Sequence, residues 1–167
     1  MKQTIKFLLL LSFILIVANT NAQEIKLWKL ADLEAAMAKT GKPTIFNFWA
    51  SFCVPCIEEI PYFQQIAKKY ESAGVQFVLV SLDLKEHYPQ KIKAFAKKFK
   101  FTAPIVFLDE NDADKFCPAV DKKWSGVIPA SLFINNKTGF RSFFEDQLTR
   151  QQFEKEIKEM LKEKGTK

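Results

Sequence analysis

The stretch FNFWASFCVPCIEEIP, residues 46–61, carries two cysteines, Cys53 and Cys56, three positions apart. Apart from Asn47, residues 44–49 are β-branched and aromatic, which predicts a buried strand. Through residues 53–72 the apolar side chains recur every three to four positions, which predicts a helix. Cys53 is therefore expected where a buried strand ends and a long helix begins.

This position favours the anionic form of a thiol. The first turn of a helix has free backbone N–H groups and carries roughly half a positive charge, which stabilises a thiolate. Cys56 follows one turn later, close enough to form a disulfide with Cys53, and Pro55 fits the first turn because its missing N–H is no loss there. A thiolate is the attacking species in disulfide exchange. The pair therefore predicts one exposed, attacking cysteine and a second that resolves the mixed disulfide.

Metal binding and inert packing are the alternative interpretations of the two cysteines. A structural zinc site needs four ligands. Cys117 and His87 remain as soft candidates, and neither belongs to a second ligand pair. No additional methionine or histidine, of the kind that a copper carrier uses, lies near the cysteines. We therefore expect no metal.

The rest of the chain alternates between strand and helix patterns. Apolar runs and helical spacing predict strands at 25–28, 75–82 and 105–108, helices at 32–39 and 88–99, and one or two helical turns at 112–116. Segments 131–135 and 140–144 flank a four-residue turn, which predicts an antiparallel hairpin. Thr149 and Gln152 form a capping box for a last helix that ends near residue 162. This order predicts one α/β domain in which helices flank a central mixed sheet.

The first 22 residues have the layout of an export signal. Lys2 and Lys6 precede an almost unbroken apolar run over residues 7–17, and small residues follow it up to Ala22. We expect a secretory signal peptide cleaved after Ala22 and a single folded domain over residues 23–167. An uncleaved anchor helix is the alternative, although the apolar run is short against the roughly 20 residues that cross a bilayer. Export matters because disulfides persist outside the cytosol.

Charge excludes one class of function. The chain has 167 residues and a formal net charge of +6, which falls to +4 without Lys2 and Lys6. No lysine or arginine block is long enough to suggest a nucleic-acid-binding arm. The charged segments 91–100 and 154–164 alternate with apolar residues at helical spacing, which is typical of solvated helix faces.

The chain resembles the thioredoxin superfamily and, within it, the exported TlpA/ResA-like thiol-disulfide oxidoreductases. Residues 49–56, WASFCVPC, are similar to the family's W-A-x-x-C-x-P-C box, and the sequence continues to Pro61 in the family's C-x-x-E-x-P pattern. Ile128-Pro129 matches the proline that, in the family, follows a cis peptide bond and faces the active-site disulfide. The resemblance covers residues 26–162 and implies a thioredoxin-like three-layer sandwich.

The resemblance also implies the site. Cys53, Cys56 and Pro129 would be catalytic, and the supporting residues would be Trp49, Phe52, Pro55, Ile128, Asn47 and Asp83. A cis bond before the proline would expose the Ile128 backbone, so that a client peptide could pair with it as an added strand. Trp49 and Phe52 are expected to form an apolar rim beside the sulfurs.

The proton acceptor for Cys56 is the least certain part of this site. Thioredoxins carry a buried aspartate where this chain has Asn47, which we expect to be a satisfied core amide. Asp83, at the end of the next strand, is either the proton acceptor or a helix cap. Glu58 and Glu59 are expected to be solvated.

Two further residues have open interpretations. Cys117 precedes Pro118 in an expected loop and is either a buried free thiol or the partner in an intermolecular or regulatory disulfide. Trp124 precedes the Ile-Pro pair and either joins the client surface or packs in the core.

These observations predict an enzyme that reduces disulfides of exported proteins and needs no small-molecule cofactor. Val54-Pro55, between the cysteines, offers no charge or polar donor to stabilise the thiolate further, which favours a reductant. The resemblance implies a membrane thiol-transfer protein as electron donor, clients such as apocytochrome c, and a location in the periplasm or cell envelope; a monomer is expected. The alternatives are a binding module or metal carrier without turnover, and a net oxidant or isomerase.

Overall fold

The computed structural model describes residues 24–162 and forms one six-stranded mixed sheet covered by α-helices. The predicted signal peptide lies outside the described residues. The strands are β1 (Lys26–Trp28), β2 (Thr44–Trp49), β3 (Gln76–Ser81), β4 (Ile105–Leu108), β5 (Ala130–Asn135) and β6 (Phe140–Phe144). The helices are α1 (Leu30–Lys39), α2 (Val54–Lys69), α3 (Gln90–Lys98), α4 (Ala113–Val120) and α5 (Arg150–Met160).

The sheet places β2 between parallel and antiparallel neighbours. Its strand order is β1-β4-β3-β2-β5-β6, in which the first four strands run parallel and β5 and β6 run antiparallel to them. In this register Asn47 lies between Leu79 of β3 and Ser131 of β5. Residues 50–53 lead from the carboxyl end of β2 to the next helix and place Cys53 at that end of the sheet.

Two buried layers separate the sheet from its helices. Buried side chains of α2, α3 and α5 pack on one side, which we call the α2 face, and those of α1 and α4 pack on the other, which we call the α4 face. Side chains alternate along β2, so that Ile45 and Trp49 point to the α2 face while Phe46 and Phe48 point to the α4 face. The predicted fold class, a three-layer α/β sandwich, is confirmed.

Element boundaries agree closely with the sequence patterns, with one clear exception. β2, β4 and β6 begin and end where predicted, and the capping box of α5 is present, with the Gln152 N–H donating to Thr149 Oγ1. Helix α4, however, continues through Pro118 to Val120, so Cys117 lies in a helix rather than in a loop. Phe116, Cys117 and Val120 are buried, and this apolar packing offsets the hydrogen bond that the proline removes.

Candidate active site

Cys53 lies at the junction of β2 and α2, as its sequence position predicts. It is the N-cap residue of α2, and its sulfur accepts a hydrogen bond from the backbone N–H of Cys56 at 3.3 Å. The turn before it is closed by the Cys53 N–H, which donates to the carbonyl oxygen of Ala50. Pro55 occupies the first turn of α2. The sulfur thus meets the free amides of the helix end, where negative charge is stabilised.

Cys53 and Cys56 form a disulfide with an S–S distance of 1.99 Å. Cys53 is 7% exposed and Cys56 is fully buried. An incoming sulfur can therefore reach only Cys53, while Cys56 lies behind it in the first turn of the helix. This arrangement suits an attacking and a resolving cysteine.

The loop before β5 carries the second part of the site. The Ile128–Pro129 peptide bond is cis, which confirms the expectation from sequence. Pro129 is buried, Ile128 is half-buried between the two core clusters, and Val127 is exposed. Gly126 has φ of 94°, a left-handed conformation that a residue with a side chain rarely adopts.

Only one of the two expected rim residues reaches solvent. Phe52 is 65% exposed, beside Cys53 in sequence. Trp49 is fully buried, so its assignment to the rim is wrong. As the last residue of β2, it points into the α2 face, where its ring packs against Phe95 and Phe101. Trp49 therefore supports the site from within the core.

Asp83 anchors the loop that leads to the cysteines. It is buried, and its carboxylate accepts hydrogen bonds from the Ser51 backbone N–H at 3.1 Å, from the Ser51 hydroxyl and from the Ser81 hydroxyl at 2.8 Å. His87 Nδ1 lies 3.4 Å from the same carboxylate. The helix-cap interpretation is wrong, because Leu84 is the N-cap of the short 3-10 helix that follows. Asp83 holds Ser51 in place instead.

Glu59 is the functional candidate that sequence reasoning missed. The expectation of a solvated side chain is wrong for Glu59, which is fully buried, and correct for Glu58, which is exposed. Glu59 Oε1 accepts from Asn47 Nδ2 at 2.9 Å and Oε2 accepts from the Leu148 N–H at 3.2 Å. Burial raises the pKa of Glu59 to about 8, and the hydrogen bonds from Asn47 and Leu148 oppose that shift.

The spacing of the α2 sequence contains the signal that reveals Glu59. It lies three residues after Cys56 and four before Phe63, both of which are fully buried. Residues three and four apart share a helix face, with Cβ atoms about 5–6 Å apart. Glu59 therefore belongs to the buried stripe despite its charge, and it lies one turn from the resolving cysteine.

Asn47 is fully buried and connects Glu59 to β5. Its Nδ2 atom donates to Glu59 Oε1 and, at 3.0 Å, to Ser131 Oγ. Its Oδ1 atom has no hydrogen-bond partner within residues 24–162. Asn47 was expected to be a core amide with all its hydrogen bonds formed, but in the described part of the chain only the nitrogen of that amide is hydrogen-bonded.

The two residues with open interpretations both lie in the core. Cys117 is 4% exposed and free, and burial, with help from Asp114 and Glu145, raises the pKa of its thiol. Trp124 is 5% exposed, and its ring packs on Phe48 on the α4 face. Trp124 therefore takes no part in an exposed client surface.

Within residues 24–162, no group of three or more histidine, cysteine or acidic side chains is arranged to hold a metal ion. In the same range, no helix combines the length and the apolar character needed to cross a membrane.

A sheet of this order, with a cysteine pair at the start of α2 and a cis proline before β5, defines a thioredoxin-like fold with a CxxC-type centre. A family model described as "AhpC/TSA family" matches residues 15–141, and the chain belongs to this family.

Curated relatives and solved structures agree with that assignment. The chain is 32% identical over 104 residues to Sporulation thiol-disulfide oxidoreductase A of Bacillus subtilis, covering 62% of this chain and 59% of the relative. It is 32% identical over 121 residues to Thiol-disulfide oxidoreductase ResA of Oceanobacillus iheyensis, covering 72% and 55% respectively. The chain thus spans less than two thirds of the length of either relative.

Among solved structures, a thiol:disulfide interchange protein of the thioredoxin family from Chlorobium tepidum superposes with a TM-score of 0.60 at 25% identity. The match covers 76% of this chain and 85% of that chain.

Proposed function

We propose that the protein is a thiol-disulfide oxidoreductase that reduces disulfides of exported proteins through the dithiol of Cys53 and Cys56. One observation carries this proposal. The Cys53 sulfur caps α2, accepts the Cys56 N–H and is bonded to Cys56, so one sulfur pair combines thiolate stabilisation with an intramolecular partner.

The chemistry balances over two exchange steps. The Cys53 thiolate attacks one sulfur of a client disulfide, and the other client sulfur leaves as a thiolate that takes up a proton. Cys56 then loses its proton and attacks Cys53 Sγ, which releases the second client sulfur. The client gains two electrons and two protons, and the protein is left with the Cys53–Cys56 disulfide.

Glu59 is the base that the second step needs. Its carboxyl lies one helical turn from Cys56, and its pKa of about 8 is close to that of a thiol. A proton moves most efficiently between groups of similar pKa near the working pH. Glu59, rather than Asp83, would therefore accept the proton of Cys56.

Clients would dock on the exposed apolar side chains around the sulfur pair. Phe52, Val54 and Val127 are 65%, 62% and 56% exposed. An extended client segment beside them would pair with the backbone of Ile128, which lies just before the cis bond to Pro129 and the start of β5.

The direction of electron flow is proposed from the residues between the cysteines. Val54 and Pro55 offer no charged or polar group that would stabilise the Cys53 thiolate further, which favours a reductant. A membrane thiol-transfer protein would restore its dithiol. Exported proteins, including apocytochrome c, would be its clients, and no bound cofactor is needed. The signal peptide would direct export and would be cleaved after Ala22. A reduction potential above roughly −200 mV in equilibrium with glutathione would instead support a net oxidant.

Insulin reduction by dithiothreitol tests the proposed activity. The wild-type protein should accelerate precipitation of the insulin B chain, and Cys53→Ser should fall to the uncatalysed rate because the attacking sulfur is gone. Cys117→Ala is the matched control, since it removes a cysteine that lies in the core, and it should retain the wild-type rate. Equal background rates for wild type and Cys53→Ser would leave only a binding module without turnover.

A further inference from the structure

The polar contacts between β2, β5 and α2 form a small buried network on the α2 face. Asn47 and Ser131 face each other directly across β2 and β5, and they are 0% and 1% exposed. Asn47 Nδ2 lies 2.9 Å from Glu59 Oε1 and 3.0 Å from Ser131 Oγ. Burying a polar group costs free energy unless the group is paired, and these three side chains are paired with one another.

We propose that Asn47 and Ser131 act as a hydrogen-bond clamp that keeps an N–H donor directed at Glu59, and that this clamp sets the pH range in which Glu59 accepts the proton of Cys56. Both are positioning residues, because they act through Glu59. The inference rests on the proposed function for its catalytic consequence, but the clamp itself is a property of the folded, oxidised protein.

The two ends of the Asn47 amide explain why the nitrogen faces Glu59. One end points at two acceptors, Glu59 and Ser131, and the other end has no partner within the described part of the chain. An NH₂ group left at the unpartnered end would lose two hydrogen bonds, whereas a carbonyl oxygen tolerates under-satisfaction better. Ser131 strengthens this preference because its oxygen accepts the second amide hydrogen.

The clamp opposes the effect of burial on Glu59. A hydrogen bond donated to a carboxylate favours the charged form, whereas removal from water favours the neutral acid. The second oxygen of Glu59 accepts from the Leu148 backbone N–H, which no substitution at Leu148 removes short of proline. Asn47 is thus the only side-chain donor to Glu59 within residues 24–162.

Charged groups elsewhere do not replace the clamp. Strands β2 and β5 contain no ionisable side chain. Helix α2 carries three ionisable groups within three residues of Glu59, which are Cys56, Glu58 and Tyr62. Helix α5 adds Arg150, whose guanidinium lies over the Tyr62 ring. Within residues 24–162, two groups oppose the rise in the Glu59 pKa: the Asn47 side chain, which has the larger effect, and the Leu148 backbone N–H.

Titration of Glu59 in the oxidised protein tests the clamp without any client. The carboxyl carbon of Glu59 is followed by ¹³C NMR from pH 5 to pH 10 in wild type and variants. Asn47→Leu removes the donor and should raise the proton affinity of Glu59 about tenfold or more, the effect of a hydrogen bond to a charged group. Ser131→Ala should raise it about threefold, because the amide is held less firmly.

Two matched variants separate the clamp from general packing. Ser131→Thr keeps the hydroxyl and should titrate as wild type does. Thr44→Val removes a buried hydroxyl at the far end of β2 and should cost stability without moving the Glu59 titration. If Ser131→Ala and Asn47→Leu lower stability as Thr44→Val does and leave the midpoint unchanged, the clamp does not exist. Should Asn47→Leu fail to fold, Ser131→Ala against Ser131→Thr decides.

A kinetic measurement tests the catalytic consequence separately. Release of a chromogenic thiol from its mixed disulfide with Cys53 reports the step in which Cys56 loses its proton. Its rise with pH should move to higher pH in Asn47→Leu by the same factor as the NMR midpoint. A shifted NMR midpoint with an unshifted rate profile would keep the clamp and overturn Glu59 as the proton acceptor; an inactive wild type would overturn the proposed function alone.

Discussion

The two faces of the sheet each carry cysteine on a helix, but they surround it with different chemistry. On the α2 face, Cys53 caps a helix and the buried layer includes Glu59 and Asn47. On the α4 face, Cys117 lies inside a helix, among buried side chains that are otherwise apolar. Burial and the nearby acids raise the pKa of Cys117, whereas the end of α2 favours a thiolate.

This contrast shows that the reactivity of a cysteine depends on its position along the helix, at the N-terminus or in the interior, and on whether an ionisable side chain lies one turn away. The α2 face bears the cost of a buried carboxyl next to its cysteine pair, and the α4 face bears no such cost. If the difference is functional, substitutions on the α2 face should change rates and pH dependence, while those on the α4 face should change packing alone.

The largest expected effect is on the resolving step. Glu59→Gln removes the proton acceptor and should slow release of client thiol from the Cys53 mixed disulfide at pH 7 by about a hundredfold, within the usual range for general-base catalysis. Stopped-flow release of a chromogenic thiol measures it, and Glu58→Gln, which changes an exposed neighbour, is the matched control. A Glu59→Gln rate within twofold of wild type would remove the distinction between the faces.

The second effect is on stability and its dependence on pH. Because the pKa of Glu59 is about 8 in the folded protein and near 4.5 when unfolded, the folded state holds the proton more tightly. The stability that this tighter proton binding at Glu59 adds to the folded state is fully present below pH 4.5 and is lost as pH rises towards 8.

Urea unfolding of the oxidised protein measures this loss. Between pH 5 and pH 8 the wild type should lose about 3 kcal/mol through Glu59, from about 1.4 kcal/mol per pKa unit. Glu59→Gln should flatten that slope, and Glu58→Gln should keep it. Parallel slopes for wild type and Glu59→Gln would mean that the buried carboxyl is not neutral in the folded protein below pH 8.

Strand and helix patterns predicted the frame of the site because local sequence determines it. Apart from Asn47, β2 is a run of β-branched and aromatic residues between a Gly-Lys-Pro segment and the Cys53 turn, so both of its ends are marked. The position of Cys53 at the start of α2 follows from that boundary. The cis bond before Pro129 is expected from the family resemblance and from its position after Gly126 and before residues 131–133.

Contacts between distant segments could not be predicted in the same way. The spacing of α2 places Glu59 on the buried face of the helix, but the groups that satisfy its oxygens there, Asn47 and the Leu148 N–H, are 12 and 89 residues away in sequence and could not be predicted. The rim position expected for Trp49 follows from the cysteine box of the family resemblance. The strand alternation that directs it inward, together with Ile45, was the better guide.

The smallest expected effect concerns the α4 face. A Cβ added to Gly126 would lie 3.7 Å from Cys117 Sγ, so the thiol fills space beneath the loop that leads to Pro129. Cys117→Ala should cost about 1 kcal/mol for the lost sulfur and leave insulin reduction unchanged. Cys117→Ser should cost more, because its hydroxyl replaces a thiol in apolar surroundings. A folded Cys117→Ala variant with a slower redox rate would show that the α4 face reaches the active site through this loop, and the two faces would then be coupled rather than separate.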